Sequence, residues 1–301
     1  MPCTSDAPRA ENGIRALKRQ GYCIMEDLVP ATLVERLAAD LAPDFARTPA
    51  AEGPFYGRDT IRFGGLLARS PHTAAFVQQP AILAIVEAIL GPWCERVALN
   101  LTQAIELMPG SAEQVPHRDQ DMWPCSRLVR RELGVEFLIN VMWPFVPYHA
   151  GNGATRIWPG SHRRPTEPLM DPAAAISAEM SPGSALLFLG STLHAGGANR
   201  TTQARRGMIV SYTLGWLKPY ELQWLAYPPA IATGFPEELA ALAGYRIHRP
   251  NLGNVDGRCP SGLLVAEGPR QGAVDALGPE QLALIEQYRA GMSPTSLATD
   301  A

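Results

Sequence analysis

Between about residue 96 and residue 217 the chain is built from short apolar segments. RVALNLTQAIELM, GVEFLINVMWPFV, ATRIWP, GSALLFLG and RGMIVSYTLGW are separated by the turn words PGS, GNG, PGSH and SPGS. Gly and Pro at this density interrupt helices, and the apolar runs have strand length. Many short strands joined by such turns predict a β-sandwich or barrel. The flanks differ. ENGIRALKRQ and PATLVERLAADL carry apolar residues at helical spacing, and residues 71–90 read the same way. Gly21 should end the first helix, with YCIME as a short strand after it. Residues 42–70 read as loop. The expected layout is one domain over 1–301, with a helical part at 10–95, a β core at 96–217 and a C-terminal cap at 218–290.

Bulk properties exclude several classes. The formal net charge is -3, and no run of five basic residues occurs, which argues against nucleic acid as a partner. The opening MPCTSDAPRAENG lacks the apolar core of a signal peptide. The longest apolar helix candidate, AILAIVEAILGP, is short and contains Glu87, so no membrane span is expected. The five cysteines form no CxxC pair. They read as reduced thiols of a cytoplasmic protein.

The chemistry concentrates in VPHRDQDMWP, residues 115–124. In an extended chain, residues i and i+2 share a face. His117 and Asp119 then project together, with Arg118 opposite. His194, in STLHAGGANR after the apolar strand ALLFLG, supplies a third donor. Two histidines and one carboxylate on one face of a metal define the facial triad of non-heme Fe(II) oxygenases, with open positions for a bidentate cosubstrate and O2. A dianionic cosubstrate needs a cationic clamp. Arg205, eleven residues after His194, can grip a carboxylate with two hydrogen bonds. Arg206 competes for the role, and alternation along a strand lets only one of them face inward.

Together these residues resemble the phytanoyl-CoA dioxygenase family of Fe(II)/2-oxoglutarate oxygenases. PGSAEQVPHRDQ, GNGATRIWPGSHR, GSALLFLGSTLHAGGANRT and SYTLGWLKP carry the resemblance, which spans roughly residues 12–260 including the opening GYCIMEDLVP. It is similar to the branch that oxidises secondary metabolites. The resemblance implies a double-stranded β-helix (jelly roll) flanked by helices. It implies Fe(II) on His117, Asp119 and His194, and 2-oxoglutarate held by Arg205 through its distal carboxylate. Gln114 and Thr155 match further contacts to 2-oxoglutarate. Asp119 argues against halogenation, which needs a small residue there. The implied reaction oxidises a C–H of a small, mostly hydrophobic metabolite by hydroxylation, desaturation or cyclisation, releasing succinate and CO2. It also implies a homodimer, for which WLAYPPAIATGFPEEL is a candidate face.

Competing readings remain open at this level. HxD alone is often a surface turn, and the same side chains could serve a non-oxidative jelly-roll binding protein or a zinc hydrolase. Asp121, at i+4, is a rival ligand. His162 reads as structural, and His72, His149 and His248 as surface residues. Residues 55–59, residues 62–65, Met122, Trp123, Phe137 and Trp216 are candidate substrate lining. Trp143 and Trp158 could line the pocket too, and for all four of Trp123, Trp143, Trp158 and Trp216 the core or rim of the barrel is an equal reading.

Overall fold

The computed structural model describes residues 6–57, 59–164, 166–167, 170–265 and 272–291. The chain opens with α1 (Asp6–Gln20), β1 (Tyr22–Met25), α2 (Ala31–Arg47), β2 (Thr60–Gly64), α3 (Thr73–Val77) and α4 (Pro80–Leu90). It continues with β3 (Val97–Leu107), α5 (Ser126–Leu133), β4 (Leu138–Pro144), β5 (Arg156–Ile157), β6 (Ile176–Ser177), β7 (Ala185–Leu189), β8 (His194–Ala195) and β9 (Arg205–Leu214). The cap contains α6 (Gln223–Ala226), α7 (Pro229–Ala232), α8 (Glu237–Leu242) and α9 (Pro279–Arg289).

Six strands form one antiparallel sheet in the order β1-β7-β4-β9-β3-β2, and β6-β5-β8 form a smaller one. This is a jelly roll with flanking helices. The central strands of the large sheet are buried on both faces, which is why they read as nearly continuous apolar runs. Their alternation assigns the faces. Ile139, Val141, Trp143, Leu187, Met208, Val210 and Tyr212 join the helix-side core with Leu37, Phe45, Phe76 and Ile85. Leu101, Ile105, Met142, Phe188 and Ile209 point the other way, toward Ala154 and Ile157. Polar residues sharing that inner face are therefore aimed into the space between the sheets.

The predicted helices form, with adjustments. The stripe Val34, Leu37, Leu41 continues to Phe45, so α2 runs through Pro43 to Arg47. The expected 71–90 helix is two helices. Gln79 caps the second by accepting from the Ile82 N–H at 2.9 Å, with Pro80 at its first position. Gly21 ends α1 at φ 86°. A Cβ there would lie 2.5 Å from Thr192 Oγ1 and 2.6 Å from His162 Nδ1, so only glycine fits.

The stretch 42–70 is not all loop. TIRFG forms β2, which pairs antiparallel with β3. The flanking glycines hide so short a strand, and its pairing partner lies some forty residues away. The helical N-terminal segment thus gives the large sheet both its edge strands, β1 and β2. The short amphipathic helix α5 and the two-residue strands β6 and β8 are likewise not among the predicted elements. No described helix is long and apolar enough to cross a membrane.

Candidate metal centre

His117, Asp119 and His194 each offer a ligand atom, and these atoms lie within 4.8 Å of one another. The backbone holds the two histidines directly. His117 N–H donates to His194 O at 2.9 Å, and His194 N–H donates back to His117 O at 3.0 Å. Arg118 is extended (φ -120°, ψ 122°), and Asp119 opens a 3-10 turn over Asp119–Met122. The predicted i, i+2 relation therefore holds through a single extended residue and not through a longer strand. The turn keeps Asp121 out of the ligand cluster: it lines the cavity beside the triad, but its Oδ2 accepts from Arg127 Nη2 at 2.7 Å.

Each histidine is oriented by its own chain. His117 Nδ1 lies 2.9 Å from Val115 O, and His194 Nδ1 lies 3.1 Å from Thr192 O. A carbonyl only accepts, so Nδ1 carries the proton and Nε2 keeps its lone pair. Both Nε2 atoms face Asp119, at 3.4 Å from Oδ1 and 3.5 Å from Oδ2. Asn140 Nδ2 donates to Asp119 Oδ2 at 2.8 Å. Burial pushes the Asp119 carboxyl up, but His194, His117 and the Asn140 amide together hold it well below the usual carboxylate range. Burial pushes the His194 imidazole down to about 4 despite the facing carboxylate. For His117 burial also pushes down, but the Asp119 carboxylate and the Val115 carbonyl hold the imidazole above the usual histidine range, so a metal that takes its Nε2 displaces a proton. The oriented donors fit a divalent cation.

Arg118 points the opposite way and is buried. It donates to the carbonyls of Ser191 at 2.9 Å, Glu167 at 2.7 Å, Arg164 at 3.1 Å and Ser161 at 3.4 Å. The residue between the two ligands thus anchors their loop to Ser161, Arg164 and Glu167 and to Ser191, just ahead of His194.

A cavity of about 430 Å³ opens in front of the triad. Gln114, Thr155 and Arg205 all line it. Arg205 is buried, donates from Nη2 to Gly153 O at 2.8 Å and stacks 4.0 Å from the Tyr148 ring centre. Its Nε has no partner among the described residues. Arg206 faces away, pairing with Glu106 and lying over Phe45. Strand alternation in β9 makes that choice. Gln114 bridges two walls, accepting from Gly196 N–H at 3.2 Å and donating to Phe55 O at 3.3 Å.

Of the candidate lining residues, Phe55, Tyr56, Arg62 and Met122 face this cavity. Arg58 lies outside the described residues. Phe137 does not line it; it is fully buried between Trp123 and Trp216. Trp123 does not reach it, and Trp216 lines a different cavity. Trp143 and Trp158 are core. His162 is buried against α1, and His248 is buried, not at the surface. Sequence reasoning missed Asn140, Gln103, Phe188 and Tyr220, which also line the cavity. Asn140 had a signal: it is an amide inside the otherwise apolar run FLINVMWP.

Fold and site together define a non-heme iron oxygenase of the 2-oxoglutarate type, a class whose facial triad sits inside a jelly roll. The family profile for phytanoyl-CoA dioxygenase (PhyH) matches residues 17–207. The chain belongs to that family and is an Fe(II)- and 2-oxoglutarate-dependent dioxygenase acting on a small metabolite. It is 28% identical over 265 residues to dioxygenase FrzG of Cladobotryum sp, covering 80% of this chain and 86% of that one. It is 30% identical over 220 residues to dioxygenase aneA of Aspergillus aculeatus, covering 69% and 74%. In fold it is similar to the epimerase SnoN in complex with Fe3+, alpha ketoglutarate and nogalamycin RO. There the TM-score is 0.55 and the identity 17%, over 72% of this chain and 89% of that one.

Proposed function

We propose that His117, Asp119 and His194 hold Fe(II), that Arg205 clamps the distal carboxylate of 2-oxoglutarate, and that the rest of the cavity seats a hydrophobic secondary metabolite. The observation that carries this reading is the shared cavity: two oriented Nε2 donors, a carboxylate and a buried guanidinium line one space. Bound there, Fe(II) with 2-oxoglutarate and O2 supplies oxidation of an unactivated C–H, with release of succinate and CO2.

The chain's own groups perform the rest. The Asn140 amide fixes which Asp119 oxygen stays free. Tyr148 and Gly153 lock the Arg205 guanidinium before any ligand arrives. Thr155 and Gln114 offer polar contacts to the same cosubstrate. Arg62, fixed by Gln103 Oε1 at 3.1 Å, brings a second positive charge to a cavity that takes a dianion. Phe55, Leu101, Ile105, Met122, Phe188 and Ile209 form apolar walls that exclude water and favour a weakly charged substrate. A zinc hydrolase would have no use for Arg205 held at this wall.

The chain works as one domain in this reading. Its free cysteines suit a cytoplasmic setting, and a homodimer through residues 224–239 is checked by light scattering. The site assignment is tested by anaerobic titration of metal-free protein with Fe(II), then 2-oxoglutarate, followed by visible absorption. A weak metal-to-ligand charge-transfer band is expected, absent in His194→Ala and Arg205→Ala. No band from folded, metal-loaded wild type would reject the assignment.

A further inference from the structure

A second cavity of about 370 Å³ shares no lining residue with the first. Leu99 on β3 lines it, whereas the next residues, Asn100 and Leu101, line the catalytic cavity. The pairing of β3 shifts register between Leu99 and Leu101, which separates the two spaces. The other wall is the strap from Trp216 to Trp224. Tyr220 of that strap faces the catalytic cavity, and Asn100 holds it by accepting from Tyr220 N–H at 2.7 Å.

The second cavity has an unusual charge balance for a chain of net charge -3. Arg96, Lys218 and Arg246 line it, and no Asp or Glu does among the described residues. Arg246 pairs with Glu237, but its buried Nε has no partner among the described residues. Among the described residues, the Arg96 Nε is also buried and unpartnered, and Arg96 forms no ion pair within 4 Å. Glu87 feels the Arg96 charge only from a distance.

The remaining wall is apolar and preorganised. Trp216 and Trp224 are 41% and 48% exposed, yet neither indole is free to swing. Trp216 Nε1 donates to Trp93 O at 2.9 Å, and Trp224 Nε1 donates to Gly244 O at 3.1 Å. A Cβ on Gly244 would lie 2.8 Å from Trp224 Nε1, so bare backbone is needed to seat that ring.

A concave apolar surface and an unpaired, half-buried guanidinium are each unfavourable in water. One kind of ligand relieves both. A cation is repelled, a neutral hydrocarbon leaves Arg96 unpaired, and a polyanion wastes the tryptophan walls. We propose that this cavity binds an amphipathic monoanion, an aliphatic or aromatic carboxylate. Its carboxylate meets Arg96, and its apolar body lies between Trp216 and Trp224.

The test is isothermal titration calorimetry of metal-free protein with decanoate, with decyltrimethylammonium as the opposite-charge control. Loss of one charge-assisted hydrogen-bond partner weakens binding about tenfold. Saturable decanoate binding is expected, about tenfold weaker in Arg96→Gln, weakened in Lys218→Gln and unchanged in Arg205→Gln. Lys218 is exposed, so its variant serves if Arg96→Gln fails to fold. Three results overturn the proposal: no saturation at millimolar decanoate, equal binding of the cation, or loss confined to Arg205→Gln. The last would place decanoate in the catalytic cavity.

Discussion

Asn140 Nδ2 donates to Asp119 Oδ2 at 2.8 Å, from the middle of β4 to the start of the turn that carries the carboxylate. Asn140 is 1% exposed and has no other apolar-strand logic. It aims one ligand from outside the ligand set. Partners of this kind typically contribute 10–100-fold to metal affinity. Asn140→Ala should fold, because its neighbours Ile139 and Val141 still pack on the helix side, and should bind Fe(II) about 10–100-fold more weakly. Competition against a chelator of known affinity measures this. Unchanged affinity would make the contact incidental.

Arg205 and Arg206 adjoin in sequence and oppose in space. Arg205→Gln removes the cation from the cavity and should raise the 2-oxoglutarate requirement about 100-fold, the scale of losing a bidentate charged pair. Arg206→Gln loses its pair with buried Glu106 and its contact with Phe45, neither of which faces the cavity, and should change it less than about threefold. Steady-state 2-oxoglutarate consumption compares them. Similar effects at both positions would contradict the inward assignment of Arg205.

Arg118 satisfies four carbonyls while lying between two metal ligands. Replacing it with Met keeps the stem and strands those acceptors. Arg118→Met should destabilise by about 3–5 kcal/mol, as when one partner of a buried charged network is removed. Urea unfolding of the metal-free protein reads this directly. A loss under about 1 kcal/mol would show that water replaces the guanidinium there.

His162 makes acid stability testable. Burial drives its imidazole down to about 4; the Lys18 carbonyl opposes this, and Arg130 and Arg163 add to it. The folded protein therefore prefers neutral His162. Its contribution is complete above the unfolded value of about 6.5 and is lost as pH falls through about 4. His194 is shifted the same way, so both feed acid destabilisation. His162→Gln keeps a donor toward Lys18 O and should flatten the decline between pH 6.5 and 4 by about 1–3 kcal/mol. Urea midpoints across that range decide it; an unaltered slope would exclude His162.

The large sheet was legible because burial on both faces writes strands as apolar runs, and Gly/Pro turns mark where they stop. HxD, the distal histidine and the arginine pair were legible because metal and carboxylate chemistry admits few residue types. The inward choice of Arg205 was not readable without knowing which face of β9 meets the small sheet. β2 escaped because its stability comes from pairing with β3 and not from its own five residues. Phe137 was misassigned for the same kind of reason: an aromatic just ahead of a strand can face either side of the sheet that follows. Asn140 meets Asp119 only because β4 crosses under the 3-10 turn, a juxtaposition no local pattern encodes. Residue chemistry and period belong to the sequence. Which side chains share a cavity belongs to the tertiary packing, because strand order and face are set by long-range burial.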